Sequence, residues 1–393
     1  MPSILFTNLY LAARTGSELH TLELAKFFKG RGWDVTCYTL LYAYPLRREF
    51  EQEGINVVKL GEEDRLADHY DVLFAQHRLV SERVWNIERI AFGEVVVSIL
   101  GIVEKEEDPP SFFEQASGFV FVSEEARDVV AERYGIVDRK GYVLPNYATA
   151  PYFQVATSQE SSDRLPHRIA VISNHPPQEV LDMVELAASR GIGVEVFGSA
   201  TRSVEVSAEL ISNYDVVISI GRTAQCCFAA QTSFFCYDRF GGPGYITPEN
   251  LRAHARYNFS GRSKPERLSA QELLERVVEG YPESVQNRGE LREVARERYC
   301  SDVLFSRLEA FILSLPHLGS ARKTTETREG DGCQEYLSSV LPLFGTAQFF
   351  YARADDLDHP CSEERSVRIR YRYHSDIVFE LPPRGRGLQD RPL

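Results

Sequence analysis

Short apolar runs rich in Val, Ile, Phe and Tyr alternate with amphipathic stretches along most of this 393-residue chain. No other feature constrains the fold as strongly. SILFTNLYL, DVTCYTLL, INVVKL, YDVLFAQ, EVVVSIL, GFVFVS and YVLPN read as strands, because β-branched and aromatic side chains suit a pleated, half-buried surface. Helical patterns lie between some of them. SELHTLELAKFFKGRG places Leu19, Leu22 and Phe27 on one side, with Gly30 or Gly32 to end the helix. SEEARDVVAERYG starts at Ser123 as N-cap and stops at Gly135. Strands and helices in alternation give a parallel sheet covered by helices, an α/β class.

The polar, Ser-rich stretch ATSQESSDRLPHR, 156–168, reads as a linker. The pattern then restarts with RIAVISN, a helix through VLDMVELAASRG, VEVFGS, DVVISIG, a helix through AQCCFAAQ, and FFCYD. Ser269 and Glu272 make a capping box before LLERVVEG. A last helix runs through LREVARERYCSDVLFSRLEAFILSL, with a break offered at Ser301 and Asp302. Two successive Rossmann-like domains, 1–160 and 167–316, fit this better than one sheet. After Pro316 comes a polar segment, then ERSVRIRYRYHSDIVFEL. There Val367, Ile369, Tyr371 and Tyr373 alternate with Arg368, Arg370, Arg372 and His374, the period of a half-exposed strand. Residues 317–393 are expected to be a linker plus a small β-rich appendage, or a domain cut short.

The charge balance and the cysteines exclude several classes. Net charge is -13, which disfavours a nucleic-acid partner. No apolar run reaches the ~18 residues of a membrane span. The start, MPSILFTNLYLAARTG, has no basic segment and reads as a strand rather than a signal peptide, so a cytoplasmic protein is expected. Seven cysteines without a C-x-x-C pair indicate neither a disulfide framework nor a zinc site. Adjacent Cys226 and Cys227 read as small buried hydrophobes.

Three glycine-bearing segments stand where strands end and helices begin. In CYDRFGGPGYITPE, the residues Gly241, Gly242, Pro243, Gly244 and Tyr245 follow a strand, and Thr247, Pro248 and Glu249 fit the start of a helix. Bare backbone beside a helix N-terminus suits a phosphate; a tight turn without a ligand is the plain alternative. ARTGSELH puts Gly16 and Ser17 at the first bend, and ISIGRT puts Gly221, Arg222 and Thr223 after another strand. Arg222 is placed there either as a surface charge or as a partner for a diphosphate. Glu18 and His20 face either the cleft or solvent, solvent being the simpler reading for His20. His77 ends the strand YDVLFAQ and reads as a cleft histidine or a loop hydrogen-bonder. Tyr257, Asn258, Ser260 and Arg262 mark one more loop at a strand end.

The order of these pieces resembles the nucleotide-sugar glycosyltransferases of the GT-B fold, above all the large retaining, glycogen-synthase-like group. TGSELHTLELAKFFKGRGWDVTCYT follows the opening frame of that group, with Gly16, Glu18, Leu24, Ala25, Arg31, Gly32 and Val35 in step. FVSEEARD with VLPN is similar to the close of its first domain, and QTSFFCYDRFGGPGYITPE to a stretch near the end of its second, with Asp238, Gly241 and Gly242 in step. Two donor-contacting glutamates of the group are missing; Cys226, with Gln225 beside it, stands where the second would be. The basic pair after the first strand of the second domain is replaced by Asn174 and His175. ISNH, IGRTAQ and YDRFGGPGY together resemble a divergent bacterial subgroup in which Gln is usual at that place.

The resemblance implies two Rossmann-like domains facing a cleft, the first for an acceptor and the second for the donor. The last helix would cross back to the first. It implies metal-independent transfer of a sugar from a nucleotide-diphosphate sugar to a carbohydrate or other hydroxyl acceptor, with retention and with no cofactor beyond that substrate. His77 and Glu18 would serve catalysis. Gly16, Ser17, Ser173, Asn174, His175, Gly198, Gly221, Arg222, Thr223, Gln225 and Gly241 to Tyr245 would line the donor site. The missing glutamates also leave open a non-catalytic scaffold that binds a glycan or nucleotide, and a nucleotide-sugar epimerase shares the same cleft.

Overall fold

A computed structural model describes residues 1–136, 140–155, 165–198 and 206–316, together with the backbone of 366–370 and 376–380. The first half forms β1 (Ser3–Leu11), α1 (Gly16–Gly30), β2 (Asp34–Tyr42), α2 (Leu46–Gln52), β3 (Asn56–Lys59), β4 (His69–Gln76), α3 (Arg78–Trp85), β5 (Ala91–Ile99), β6 (Gly118–Phe121), α4 (Glu124–Tyr134) and β7 (Gly141–Val143). The seven strands pair in parallel in the order β3-β2-β1-β4-β5-β6-β7. One apolar cluster covers each face. Leu73, Val95, Val97 and Phe119 point to one side, and Phe6, Phe74, Val96 and Val120 to the other. Both faces are buried, which is why these strands read as continuous apolar runs rather than as alternations.

The chain continues through α5 (Ala150–Gln154), β8 (Arg168–Ile172), α6 (Gln178–Ser189), β9 (Gly193–Phe197), α7 (Ala208–Ser212), β10 (Val216–Ser219), α8 (Arg222–Ala230), β11 (Ser233–Asp238), β12 (Gly241–Tyr245), α9 (Leu251–Ala255), α10 (Ala270–Arg298) and α11 (Ser301–Leu313). The second sheet has the order β12-β11-β10-β8-β9, with only the edge strand β12 antiparallel. A final hairpin pairs β13 (Ser366–Arg370) with β14 (Asp376–Glu380). The strand expected across Arg368 and Arg370 is present; Tyr371 to His374 lie outside the described residues.

The local signals act where expected. The Ser123 hydroxyl accepts from Ala126 N at 3.1 Å, and Gly135 ends α4 in the left-handed region at φ 69. Ser269 and Glu272 close a reciprocal capping box at the start of α10.

Two boundaries differ from expectation. LLERVVEG and the following segment form one helix, α10, which carries Pro282 inside it and stops at Tyr299. Gly280 does not end a helix: a side chain there would meet the Tyr245 ring at 2.7 Å, so the glycine allows close packing. The break offered at Ser301 is present: α11 begins there, where Ala148 N donates to Tyr299 O (2.8 Å) and Ser301 N to Ala148 O (3.0 Å). That short bridge holds the chain where it passes from one sheet to the other and again where α10 gives way to α11.

α10 packs on the second sheet through Leu273, Leu274, Val277 and Tyr281. α11 packs on the first. Leu304, Phe305, Leu308 and Ile312 join the cluster of Phe6, Leu22 and Phe28, and Phe305 meets Phe27 and Tyr147 ring to ring. Glu309 accepts from Trp33 Nε1 (2.9 Å) and Arg31 Nε (3.0 Å).

Candidate functional site at the facing switch points

Strand order reverses between β1 and β4 in the first sheet, and between β8 and β10 in the second. In open α/β sheets ligands bind beyond the carboxyl ends of strands at such reversals. The loop from β1 into α1 and the residue His77 lie at the first reversal; the loop from Ser173 and the turn at Gly221 lie at the second. Contacts between the two halves join these regions. Arg222 Nη2 donates to Glu23 Oε1 at 2.6 Å, and Asn146 Nδ2 to Asn258 Oδ1 at 2.9 Å. On another side of the interface, Arg262 grips Glu125 with two bonds (2.9 and 2.6 Å), and Glu125 N donates to Arg256 O at 3.0 Å.

At the first reversal the side chains mostly hold the loop. Glu18 Oε1 accepts from Ala12 N (2.8 Å) and Ala13 N (3.0 Å), and Oε2 from Thr15 N (3.1 Å) and Thr15 Oγ1 (2.8 Å). Burial lifts its carboxyl above the ordinary range, against those bonds, which pull it down. The geometry gives Glu18 the task of shaping the loop in which Gly16 lies exposed. Ser17 O accepts from Asn8 Nδ2 (3.0 Å) and Thr21 Oγ1 (3.1 Å).

His77 sits at φ 61, a strained value for a side-chain-bearing residue. Its Nδ1 accepts from Leu9 N at 3.0 Å, which puts the ring proton on Nε2, 3.2 Å from Glu107 Oε1. Both ring nitrogens are engaged in this arrangement, as in the loop hydrogen-bonding reading. His20 corrects its sequence reading outright. It is buried rather than solvated, with Nδ1 3.0 Å from the Tyr147 hydroxyl. Burial, then Arg222 and His77, lower its pKa to about 3, so the ring is neutral at pH 7.

At the second reversal Gly221 is the N-cap of α8, with φ 61 and ψ -133, a conformation that a side chain would strain. Behind it the Gln225 carboxamide, turned with its nitrogen inward, donates to the carbonyls of Gly221 (2.8 Å) and Arg222 (3.0 Å). Gln225 thus braces the helix start from inside, and Thr223 lies half-buried in its first turn. Asn174 and His175 are exposed on the neighbouring loop, with His175 N donating to Ser173 Oγ at 3.2 Å. Gly198 packs against that loop: a side chain there would lie 2.0 Å from Ser173 O.

The segment from Gly241 to Tyr245 is a correction. It is the edge strand β12, not an open loop. Side chains at Gly241 and Gly242 would come within 2.1 Å of Glu266 O and Cys236 O. Pro243 and Gly244 continue the strand, and the Tyr245 hydroxyl donates to Val277 O at 2.7 Å. The bare backbone is filled by the protein's own chain. Nor does a helix start at Thr247: Thr247 N donates to Asn250 Oδ1 at 2.9 Å, and α9 begins only at Leu251.

The residues that sequence reasoning missed are Glu23 and Tyr147. The Arg222 guanidinium stacks on the Tyr147 ring, 5.0 Å from its centroid. Burial is the largest influence on the Arg222 pKa and acts to lower it, but the Glu23 carboxylate together with Tyr147 and Cys226 outweighs it and the pKa is raised. His20 Nε2, Glu23 Oε2 and Arg222 Nη1 are buried with no hydrogen-bond partner. No pattern marks Glu23, one turn beyond His20 on α1, as anything but a solvated helix residue. Among the described residues no group of three or more His, Cys, Asp or Glu side chains is placed to hold a metal ion, and no helix is long and apolar enough to cross a membrane.

No protein-family model and no curated sequence matches this chain. Solved structures do match. A glycosyltransferase from Rickettsia africae ESF-5 superposes with TM-score 0.52 at 13% identity, covering 80% of this chain and 99% of its own. A point mutant of S. aureus TarM, in complex with fondaparinux, alpha-GlcNAc-glycerol and UDP, gives 0.51 at 8%, with 80% and 100% covered. Sucrose-phosphate synthase from Thermosynechococcus elongatus gives 0.50 at 10%, with 80% and 99% covered. At such identities the likeness shows the fold: two Rossmann-like sheets in the GT-B arrangement.

Proposed function

We propose that this protein transfers a sugar from a nucleotide-diphosphate sugar to a carbohydrate or other hydroxyl acceptor, with the donor held between the two switch points. The observation that carries this reading is the α8 N-terminus. It opens at the reversal of the second sheet, is turned by Gly221, and faces α1 of the first sheet across the Arg222–Glu23 contact. The first N–H groups of a helix and its dipole attract an anion. A leaving diphosphate gains charge as the glycosidic bond breaks, so donors fixed there favour the transition state over the ground state.

Glu23 neutralises Arg222, so the backbone of α8 carries more of this task than the sequence suggests. We read the transfer as metal-independent and retaining, with front-face attack assisted by the leaving phosphate, so no protein nucleophile is required. The shared fold supports the reading, but a fold hosts many activities, and the α8 N-terminus is what favours this one.

A second reading is binding without turnover. It is favoured by Glu18 and His77, whose polar atoms are taken up by the protein itself. One screen decides between them. UDP-glucose, GDP-mannose and related nucleotide sugars are tested by thermal shift, and the mixtures with glycoside acceptors are then analysed by mass spectrometry. A bound donor at one hundred times its Kd stabilises the fold by about 2.7 kcal/mol. Stabilisation with a new glycoside is the expected result. Stabilisation without product favours the second reading, and no stabilisation by any nucleotide sugar overturns both.

A further inference from the structure

We propose that His20 Nε2, Glu23 Oε2 and Arg222 Nη1 form a hydroxyl-binding subsite across the cleft, suited to a sugar diol and not to a phosphate; this deepens the glycosyl-transfer reading and rests on it. The three residues meet around one side chain. The Tyr147 hydroxyl bonds His20 Nδ1, its ring carries the Arg222 guanidinium, and Arg222 in turn holds Glu23. His20 is only 6% exposed.

The ion pair is one-armed. Arg222 meets Glu23 through Nη2 and Oε1 alone, at 2.6 Å, where a fork-to-fork pair would use both arms of each group. One buried donor and one buried acceptor are left without partners. Buried polar atoms left unmet are costly, so a ligand that fills them gains more than contact. A hydroxyl does so because it both accepts and donates: it accepts from Arg222 Nη1 and donates to Glu23 Oε2. A neighbouring hydroxyl reaches His20 Nε2. A phosphate only accepts, and Glu23 repels it.

The residues come from α1 and α8, one on each half of the molecule. The ligand therefore enters with the halves apart and is enclosed as they close. A vicinal diol is carried by the ribose of a nucleotide and also by the transferred or accepting sugar.

The test uses the full chain and two variants. His20→Asn retains an amide in the place of Nδ1, and with it the Tyr147 bond, while deleting Nε2; Glu23→Gln keeps the shape and removes the charge. Calorimetry compares UDP-glucose with UDP, and UDP with its 2′,3′-dideoxy analogue. In the parent chain at least one comparison is expected to show a tenfold loss when the diol is absent. In each variant that loss shrinks three- to tenfold, the size of one to two neutral hydrogen bonds. The comparison affected identifies whether the ribose or the sugar occupies the subsite.

If UDP-glucose and UDP bind and both variants match the parent within twofold in every comparison, the subsite is overturned while the donor reading stands. If no nucleotide binds, the donor reading fails, and the subsite is judged by saturation-transfer signals from methyl α-glucoside. A signal that His20→Asn abolishes upholds the subsite; no signal, or one unchanged in His20→Asn, ends it. Cooperative melting of His20→Asn serves as the folding control.

Discussion

Arg222 Nη2 lies 2.6 Å from Glu23 Oε1, an ion pair between residues 199 positions apart that ties the first turn of α8 to the middle of α1. About a fifth of each side chain remains exposed. Removing one partner of a fully buried pair costs about 3–5 kcal/mol because the other charge is stranded. The partial exposure lowers the expected cost of Glu23→Ala to about 2–3 kcal/mol, measured by urea denaturation. The double variant Glu23→Met with Arg222→Met should recover most of that loss. A Glu23→Ala protein as stable as the parent would show that the pair does not hold the halves together.

The glycines separate packing from ligand access. A side chain at Gly242 would lie 2.1 Å from the Cys236 carbonyl, whereas one at Gly16 would meet nothing within 4 Å. Gly242→Ala is therefore expected to lose about 3 kcal/mol or more. Gly16→Ala should stay within about 0.5 kcal/mol, the range of ordinary surface changes. Equal melting temperatures for the two variants would refute this packing account of β12.

Glu18 is expected to act through the loop it holds. Glu18→Gln keeps the size but replaces one oxygen of a carboxyl that accepts four bonds with an amide nitrogen. A buried donor left without its acceptor costs about 1–3 kcal/mol, so stability should fall by that order. Ligand affinity should fall with it, as exchange protection at Ala12 and Ala13 is lost. Unchanged exchange at those amides, with activity abolished, would instead make Glu18 a catalytic group.

The His20 ring gives stability a defined pH dependence. Its folded pKa is lowered to about 3 from the ordinary histidine value of 6.5. The unfolded chain therefore binds more protons between those values, and stability falls as pH falls through that window. The contribution is fully present above pH 6.5. His20→Asn should flatten the stability curve between about pH 6.5 and about pH 3 relative to the parent. Parallel curves would mean that His20 is not held neutral by the fold.

α11 covers the first sheet while following α10 of the second. A chain ending at residue 318 is expected to melt cooperatively. One ending at 286 loses Leu304, Phe305, Leu308 and Ile312 from the first core, at about 1.5–3 kcal/mol each. It should be insoluble or molten. A soluble, cooperatively melting protein ending at 286 would sink the bracing role of α11.

What the sequence by itself determined is local. The strands of both sheets except β12, and the caps at Ser123, Gly135 and Ser269, were legible because each depends on residues within a few positions of one another. The order of strands and helices was enough to expect two Rossmann-like sheets. Contacts between distant segments were not legible. Gly241 and Gly242 read as an open loop because sequence shows the missing side chain, not the carbonyls of Glu266 and Cys236 that take its place. His20 read as solvated because its burial comes from Tyr147, and Arg222 read as a free cation because its partner sits on α1. Only the tertiary structure decided which polar groups are satisfied and which are left buried without a partner. That outcome depends on the approach of two sheets built from different halves of the chain, and no periodicity within either one encodes it.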